Sequence, residues 1–453
     1  MPVDETRTLS PEPSTAQKPR TAPVDAPRTT PAYSVWLVRL MVVGLVLAAL
    51  NLRPAITSLG PLLEEVRKGL GMSGAVAGLV TSVPSVCFAV FGIMAPRLAR
   101  RFGPAAIVCA GMTAIAVGLF LRPFAGGTAG FLAASALALV GIAVSNILLP
   151  AIVKQWFPDR VSTMTGLYSM ALAIGTSLAA LSTVPLTGAL GGSWQTGLAV
   201  WGVLAVLALS VWVPLAVRHG RARAQGRPSA GSSAKPSADG PEVEALESAA
   251  EAPAAAAPAL RMVRSRTAWA LACFFGLQAT AAYITMGWMP QIFRDAGISA
   301  GTSGMLLALT MAMGIPLAFV IPRVATRLTH QGPVVLVLGL CGLSGYAGLY
   351  LAPAGGAWVW ALLLGVSNCA FPLALTMIGL RARSHQGVVK LSAFAQSIGY
   401  LISIPGPLLI GVLHDASGGW GLPIALMAAL MVPQMAVGVL AGRNRTIERE
   451  LAV

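Results

Sequence analysis

Twelve stretches of apolar residues, each long enough to cross a lipid bilayer as a helix, recur along this chain. A hydrocarbon core about 30 Å thick needs roughly 20 residues of α-helix at 1.5 Å rise per residue. The stretches cover residues 35–61, 74–96, 104–123, 128–153, 162–189, 195–217, 267–290, 302–322, 332–352, 357–380, 389–413 and 421–441. Only 10% of the 453 residues are charged. A soluble domain carries about 25%. The reading is an all-α membrane protein of twelve transmembrane helices, with the lipid bilayer as an obligatory partner.

Between the sixth and seventh stretches lie 49 residues, 218–266, rich in Ala, Pro, Ser, Arg and Glu. Their aromatic and large apolar content is too low for a folded core, so they read as a disordered linker. The expected organisation is a disordered tail at 1–34, a six-helix bundle at 35–217, the linker at 218–266, a second bundle at 267–441 and a tail at 442–453. The first 34 residues are rich in Pro, Thr and charge and lack the order of a signal peptide. The first helix is then an uncleaved anchor.

Basic residues alternate between the two sides. One side holds Arg97, Arg100 and Arg101, then Lys154 and Arg160, the linker, Arg323 and Arg327, Arg381, Arg383 and Lys390, and Arg443, Arg445 and Arg449. The other holds only Arg67, Lys68, Arg122 and Arg294. The rich side is expected to be cytoplasmic, with both termini inside and the protein in the inner (plasma) membrane. The net charge of +15 is accounted for by these short loops, and no nucleic-acid partner is expected.

The two halves repeat in sequence. Pro96-Arg97-Leu98-Ala99-Arg100-Arg101 returns as Pro322-Arg323-Val324-Ala325-Thr326-Arg327. Val144-Ser145-Asn146, followed by Pro150, returns as Val366-Ser367-Asn368, followed by Pro372. The offsets, 226 and 222 residues, nearly agree. Parallel six-helix halves enclosing a site between them are a transporter plan.

Arg53 dominates the candidate site. It lies about 26 Å along the first helix from Trp36, within hydrocarbon or just under its far face. No Asp or Glu lies deep in any apolar stretch to pair with it. An intramembrane cation without a carboxylate points to an anionic or strongly dipolar solute, with snorkelling or carbonyl capping as the plainer alternative. Asn51 and Thr57 flank it, and Pro54 frees the carbonyl of Leu50. In the same way Pro150 and Pro372 free the carbonyls of Asn146 and Asn368, giving a kink beside a polar side chain in spans 4 and 10. Packing between helices would explain the two asparagines equally well. Span 7 adds Gln278 and Tyr283, and span 11 adds Gln396 and Tyr400 on a polar stripe with Ser392 and Ser403. Tyr168 is a weaker candidate; Trp288 and Gln291 read as interfacial belt residues. Arg97, Arg101, Arg323 and Arg327 fix orientation and are candidates for gating, as are Pro54, Pro150 and Pro372 as hinges.

Nothing points to an enzyme. HExxH and P-loop signatures are missing, and so is any intramembrane acid or histidine. Cys87, Cys109, Cys273, Cys341 and Cys369 form no CxxC pair, and His219, His330, His385 and His414 are scattered. No metal and no cofactor is expected.

Twelve spans in two halves, a long central linker and basic loops after spans 2 and 8 resemble the major facilitator superfamily. Gly92 to Gly103, ending Arg101-Phe102-Gly103, is similar to its motif between helices 2 and 3, with Arg100 where an acidic residue is usual. That departure puts the acidic latch of many relatives in doubt. The runs 51–57 (NLRPAIT), 276–283 (GLQ…Y), 371–376 (FPLALT), 380–383 (LRAR), 395–401 (AQSIGYL) and 406–415 (GPLLIGVLHD) resemble the cyanate/2-nitroimidazole porter family over residues 35–441. The resemblance implies a monomeric secondary transporter of a small polar solute, anionic solutes included, working by alternating access. The alternatives are a drug or metabolite exporter of the same fold and, from another class, a non-transporting membrane sensor.

Overall fold

The computed structural model describes residues 35–225 and 262–451. The tail at 1–34 and most of the linker, 226–261, lie outside the described residues. Met1–Arg39 separates from a compact unit, Leu40–Val453, which holds the architecture given below.

Among the described residues twelve helices are long and apolar enough to cross a membrane: Val35–Thr57, Gly74–Phe102, Pro104–Phe124, Thr128–Trp156, Thr163–Ala189, Trp194–Arg221, Arg266–Asp295, Ala300–Arg327, Gly332–Leu351, Ala357–Leu380, Gln386–Ser417 and Gly421–Ala441. They are spans 1 to 12. Each matches an expected stretch. The sixth helix runs on to Gln225, so the linker begins later than residue 218. The stretch after span 12, expected as a bare tail, includes a short helix, Ile447–Leu451.

Proline accounts for the breaks in spans 1, 10 and 11. Span 1 is interrupted between Asn51 and Pro54, where Arg53 takes φ −127° and ψ −27° and Pro54 starts the next turn. Proline has no N–H to donate, and the residue before it is pushed out of the α region. Leu50, whose carbonyl Pro54 leaves unpaired, meets the bare Cα of Gly175 on span 5; a Cβ there would collide with the Leu50 oxygen. Span 10 breaks at Cys369, between Ala357–Asn368 and Ala370–Leu380, as the Asn368–Pro372 spacing anticipates. Span 4 carries the same spacing and remains one helix through Pro150. Span 11 breaks at Ile404, before Pro405.

The halves meet through glycines at one end, the end opposite the basic loops. Spans 2 and 11 cross with Gly74 and Gly78 against Gly411, Pro407 and Leu408. An added Cβ on Gly411 would strike the Gly74 carbonyl, and one on Gly78 would come within 2.8 Å of Leu408 Cα. Gly60 faces the carbonyl of Met286 on span 7, and Gly304 on span 8 faces that of Ala180 on span 5. Small residues let helix backbones approach where lipid supplies no hydrophobic drive for association.

At the basic end the second half is tied together by its own C-terminal turn. Glu450 accepts from Ser265 Oγ (2.7 Å), Thr267 Oγ1 (2.6 Å) and Thr267 N (3.2 Å), capping the start of span 7. Glu448 accepts from the backbone of Arg383 (2.9 Å) and Ser384 (3.2 Å), capping the start of span 11. Arg381, read above as an orienting loop residue, is 2% exposed. It donates to the carbonyls of Ala441 (2.8 Å) and Gly442 (2.9 Å) and to Gln331 Oε1.

Burial pushes the Glu448 and Glu450 carboxyls up, and these hydrogen bonds outweigh it, so both titrate below the ordinary carboxylate value. Their stabilisation is therefore complete above the unfolded value of about 4.3 and is lost as pH falls through the lower folded values. A lost helix cap costs about 1 kcal/mol, or roughly 2–4 °C in a domain of this size. Glu448→Gln with Glu450→Gln should lower the melting midpoint by that order per cap at pH 7. The gap to wild type should close below about pH 4. An undiminished gap at pH 3.5 would show that the carboxylate charge is not what holds these turns.

Candidate functional site

The break in span 1 leaves Arg53 half-buried at the start of the turn Pro54–Thr57. Its backbone carbonyl is occupied by Ile56 N (2.9 Å), Thr57 N (3.0 Å) and Thr57 Oγ1 (3.1 Å). Its guanidinium is not matched by any acid: among the described residues no carboxylate forms an ion pair with it. Instead it interacts electrostatically with the hydroxyls of Tyr168 on span 5, Tyr283 on span 7 and Tyr400 on span 11. Of the three, only the Tyr283 hydroxyl also interacts with it as a hydrogen-bonding group, short of full hydrogen-bond geometry, and among the described residues that hydroxyl has no other partner.

The tyrosines are held by their own neighbours. Tyr168 donates to Asn146 Oδ1 on span 4 at 2.7 Å, which fixes the carboxamide with its oxygen toward the phenol. Tyr400 stacks on Phe88 of span 2, with ring centres 5.0 Å apart and planes 20° apart, and meets Phe275 of span 7 edge-on at 5.2 Å. Phe371 of span 10 packs on Phe275 at 5.8 Å. A cation, three phenols and a carboxamide thus meet beside aromatic faces, drawn from both halves. Such a cluster can bind negative charge through the guanidinium and hydroxyls and a flat group through the rings.

The expected site residues divide. Arg53, Asn146, Tyr283 and Tyr400 come together. Asn51 does not join them: it is 2% exposed and donates to the carbonyls of Leu47 (2.8 Å) and Leu204 (3.1 Å), which makes it a packing residue between spans 1 and 6. Thr57 is fully buried, with its hydroxyl on the Arg53 carbonyl. Among the described residues Gln278, Asn368 and Gln396 make no hydrogen bond to the cluster. Gln396 donates to Ser392 Oγ (2.7 Å), Asn368 Nδ2 lies 4.0 Å from Met311 Sδ, and Gln278 is buried with its Oε1 unpartnered. Phe88 and Phe275 carry no signal in the sequence, since an aromatic residue in an apolar helix reads as lipid-facing or core.

The ion pairs between the halves lie away from the basic loops. Arg97, Arg101, Arg323 and Arg327 are exposed. Arg101 lies over the neighbouring Phe102 ring, and Arg323 donates to Phe319 O (3.0 Å) within its own helix. At the opposite end, Arg294 of the second half forks onto Glu65 of the first at 2.7 and 2.8 Å. It also reaches Pro61 O (3.1 Å) and Glu64 (3.1 Å). Asp415 accepts from Gly74 N (2.5 Å) and lies 3.5 Å from Arg67. Lys68 at 2.5 Å holds the Glu64 carboxyl below its ordinary value against the effect of burial, helped by Arg294. Gln291 and Trp288, expected in the interfacial belt, are buried in this cluster. Gln291 donates to Asp295 (2.8 Å), and Trp288 packs edge-on against Trp420, which donates to Asp295 (2.8 Å). The gate of this conformation is thus a cluster of acids and bases from both halves, paired across the boundary in both senses.

A pseudo-repeated pair of six-helix halves, closed at one end around a cluster of polar and aromatic groups, defines a secondary transporter. The sequence model described as Major Facilitator Superfamily matches residues 45–407. This chain belongs to that superfamily. It is 34% identical over 426 residues to an uncharacterised transporter of Bacillus subtilis (strain 168), covering 93% of this chain and 97% of that one. It is 31% identical to the 2-nitroimidazole transporter of Escherichia coli (strain K12), over 90% and 96%. The cyanate transport protein CynX of the same strain is 30% identical, over 88% and 96%. Among solved structures, an inward-facing bacterial homologue of the lysosomal transporter Spinster superposes with a TM-score of 0.65 at 16% identity, covering 90% of this chain and 96% of that one. That likeness speaks for the fold alone.

Arg294→Gln leaves Glu65 without its bidentate partner, and Gly411→Val wedges a side chain against Gly74. Both should shift the population toward opening at this end. In a background with the five native cysteines replaced, a cysteine at Thr81 should react several-fold faster with an impermeant maleimide in either variant. Unchanged labelling in both variants would mean that neither the ion cluster nor the glycine crossing holds this end closed.

Proposed function

We propose that this protein carries a small, flat, polar solute, negatively charged or strongly dipolar, across the inner membrane by alternating access around Arg53. The observation that carries this reading is the pairing of an uncompensated guanidinium with aromatic walls. An isolated charge is expensive inside a membrane and is kept where it has a task. A solute bearing a negative end supplies the missing partner, with Tyr283 and Asn146 as hydrogen-bonding neighbours. The stacked Phe88 and Tyr400 rings favour a planar group, as in a nitroimidazole, over a bulky sugar-like one. The names of the 2-nitroimidazole and cyanate relatives support the same class. The basic loops support an orientation with both termini inside, and the ion cluster then closes the outer face.

Movement follows from the same parts. The ion cluster and glycine crossing part at one end while the basic loops close at the other, with Arg53 near the pivot. Hinges lie at the breaks before Pro54, Pro372 and Pro405. Within the spans no carboxylate accompanies Arg53, so we assign no proton carrier to this site, and the solute moves by facilitated diffusion, exchange or with a proton of its own. Export of a drug or metabolite uses the same machinery in the other direction.

Purified protein should be stabilised by nitroimidazoles, cyanate or a small aromatic carboxylate in a thermal-shift screen, because a ligand that binds only the folded state raises its stability by mass action. Arg53→Gln should weaken the best ligand by at least about 100-fold, the order seen when a buried charge pair loses one member. Arg53→Lys should not rescue, since an ammonium lacks the planar fork. Both variants should insert normally. Wild-type affinity in Arg53→Gln would remove Arg53 from the site.

A further inference from the structure

A second arginine is buried in this protein more deeply than the first. Arg122 closes span 3 in the turn Arg122–Phe124 and reads in sequence as a loop residue. Its side chain turns inward and the residue is only 2% exposed. Nη1 donates to the carbonyl of Ala55 at 2.9 Å, on the turn that follows the break in span 1. The guanidinium lies over the ring of Phe131 on span 4, 5.6 Å from its centre. Nε and Nη2 are buried and have no partner among the described residues.

Those two nitrogens form one edge of the guanidinium. They present two parallel N–H groups, the fork that receives an oxyanion in bidentate fashion. A buried charge without a counter-charge is among the costliest arrangements a fold can keep. Here the cost is local and specific, because Nη1 is satisfied and only the fork is left open. The small cavity lined by Arg122 is lined also by Ser135 of span 4, Thr81 and Pro84 of span 2, and Tyr283 of span 7. The Ser135 hydroxyl, 3% exposed, has no partner either, and the Tyr283 hydroxyl is likewise unpartnered. Two unpaired polar groups on one small cavity, the Arg122 fork and the Ser135 hydroxyl, with a positive charge among them and no acid lining it, ask for an anion.

We infer that the Arg122 fork, with the Ser135 hydroxyl, is a second anion site, which takes a small monovalent oxyanion of nitrate size on the gate side of Arg53. Its position gives it a task. Arg122 holds the turn of span 1 that carries Arg53, and Tyr283 of the other half borders both the Arg122 cavity and the Arg53 guanidinium. An anion on the fork ties spans 1, 3 and 4 of the first half to span 7 of the second and so favours the conformation closed at the gate. The site stands whatever solute Arg53 carries.

The test is nitrate titration of the purified full-length protein by thermal shift, with gluconate at equal ionic strength as the control too large for the cavity. Wild type and Arg53→Gln should both gain stability from nitrate over gluconate, and Arg122→Gln should gain none. Ser135→Ala removes one hydrogen bond and should raise the apparent dissociation constant about fivefold, which keeps the test open should Arg122→Gln fail to fold. In the gate-labelling assay, nitrate should slow modification of a cysteine at Thr81 in wild type. Equal nitrate stabilisation in Arg122→Gln, an unchanged constant in Ser135→Ala, or no stabilisation of wild type would each overturn the proposal. Loss of the effect in Arg53→Gln alone would overturn it too, by showing that the nitrate had bound at Arg53. A failed substrate screen with a retained Arg122 response would instead count against the reading of the Arg53 site only.

Discussion

A guanidinium held in the membrane without a carboxylate is the constraint around which the first half is arranged. Arg53 can occupy its place because Pro54 breaks the helix there, and protein covers the break: Thr57 and Ile56 donate to the Arg53 carbonyl, and the bare Gly175 packs against Leu50. Hydrocarbon gives no water to a stray carbonyl, so a span can be interrupted only where protein covers it. The polar neighbours then follow. Tyr168 is pinned by Asn146, Tyr400 by two phenylalanines, and both interact electrostatically with the charge.

Charge is treated differently at the gate. There Arg67, Lys68 and Arg294 each have an acid beside them, and the Arg67 and Arg294 pairs cross between halves. Arg294 with Glu64 and Glu65, and Arg67 with Asp415, are partly exposed, so water screens them and their loss is tolerable in a cycle that must break them. Among the described residues Arg53 and Arg122 have no acid beside them, whereas Arg67 and Arg294 are matched. On the function proposed above, that contrast separates residues that receive a solute from residues that hold this end shut.

Much of this was legible in the order of residues, and the exceptions share a cause. The twelve spans and the break in span 10 follow from hydrophobic runs and proline positions, which are local properties. Arg53 stood out because a charge in an apolar run is conspicuous without any structure. Arg122 was invisible because it sits at a helix end, where a basic residue normally faces water, and only the packing of spans 1 and 4 shows that it turns inward. Arg294 and Glu65 are 229 residues apart, and no spacing rule links them. Trp288 and Gln291 were misread for the same reason: near a helix end, belt and gate have one sequence signature. Asn146 and Asn368 share a motif, yet only Asn146 has a tyrosine opposite it. The repeat preserved the helix geometry of both halves and let their sites diverge.

The glycine crossing of spans 2 and 11 bears on how this end can open. Side chains that interdigitate can yield by small rotamer changes, so a gap between them widens by degrees. Gly74, Gly78 and Gly411 have no such slack: backbone rests on backbone, and Asp415 is bonded to the very amide that starts span 2. Packed interfaces of this kind have discrete arrangements and do not deform continuously. Opening therefore lifts the whole edge at once, and the Gly74–Asp415 bond and the seating of one backbone on the other give way in a single step. The passage at this end behaves as a two-position switch, and a half-open leak has no stable geometry to occupy.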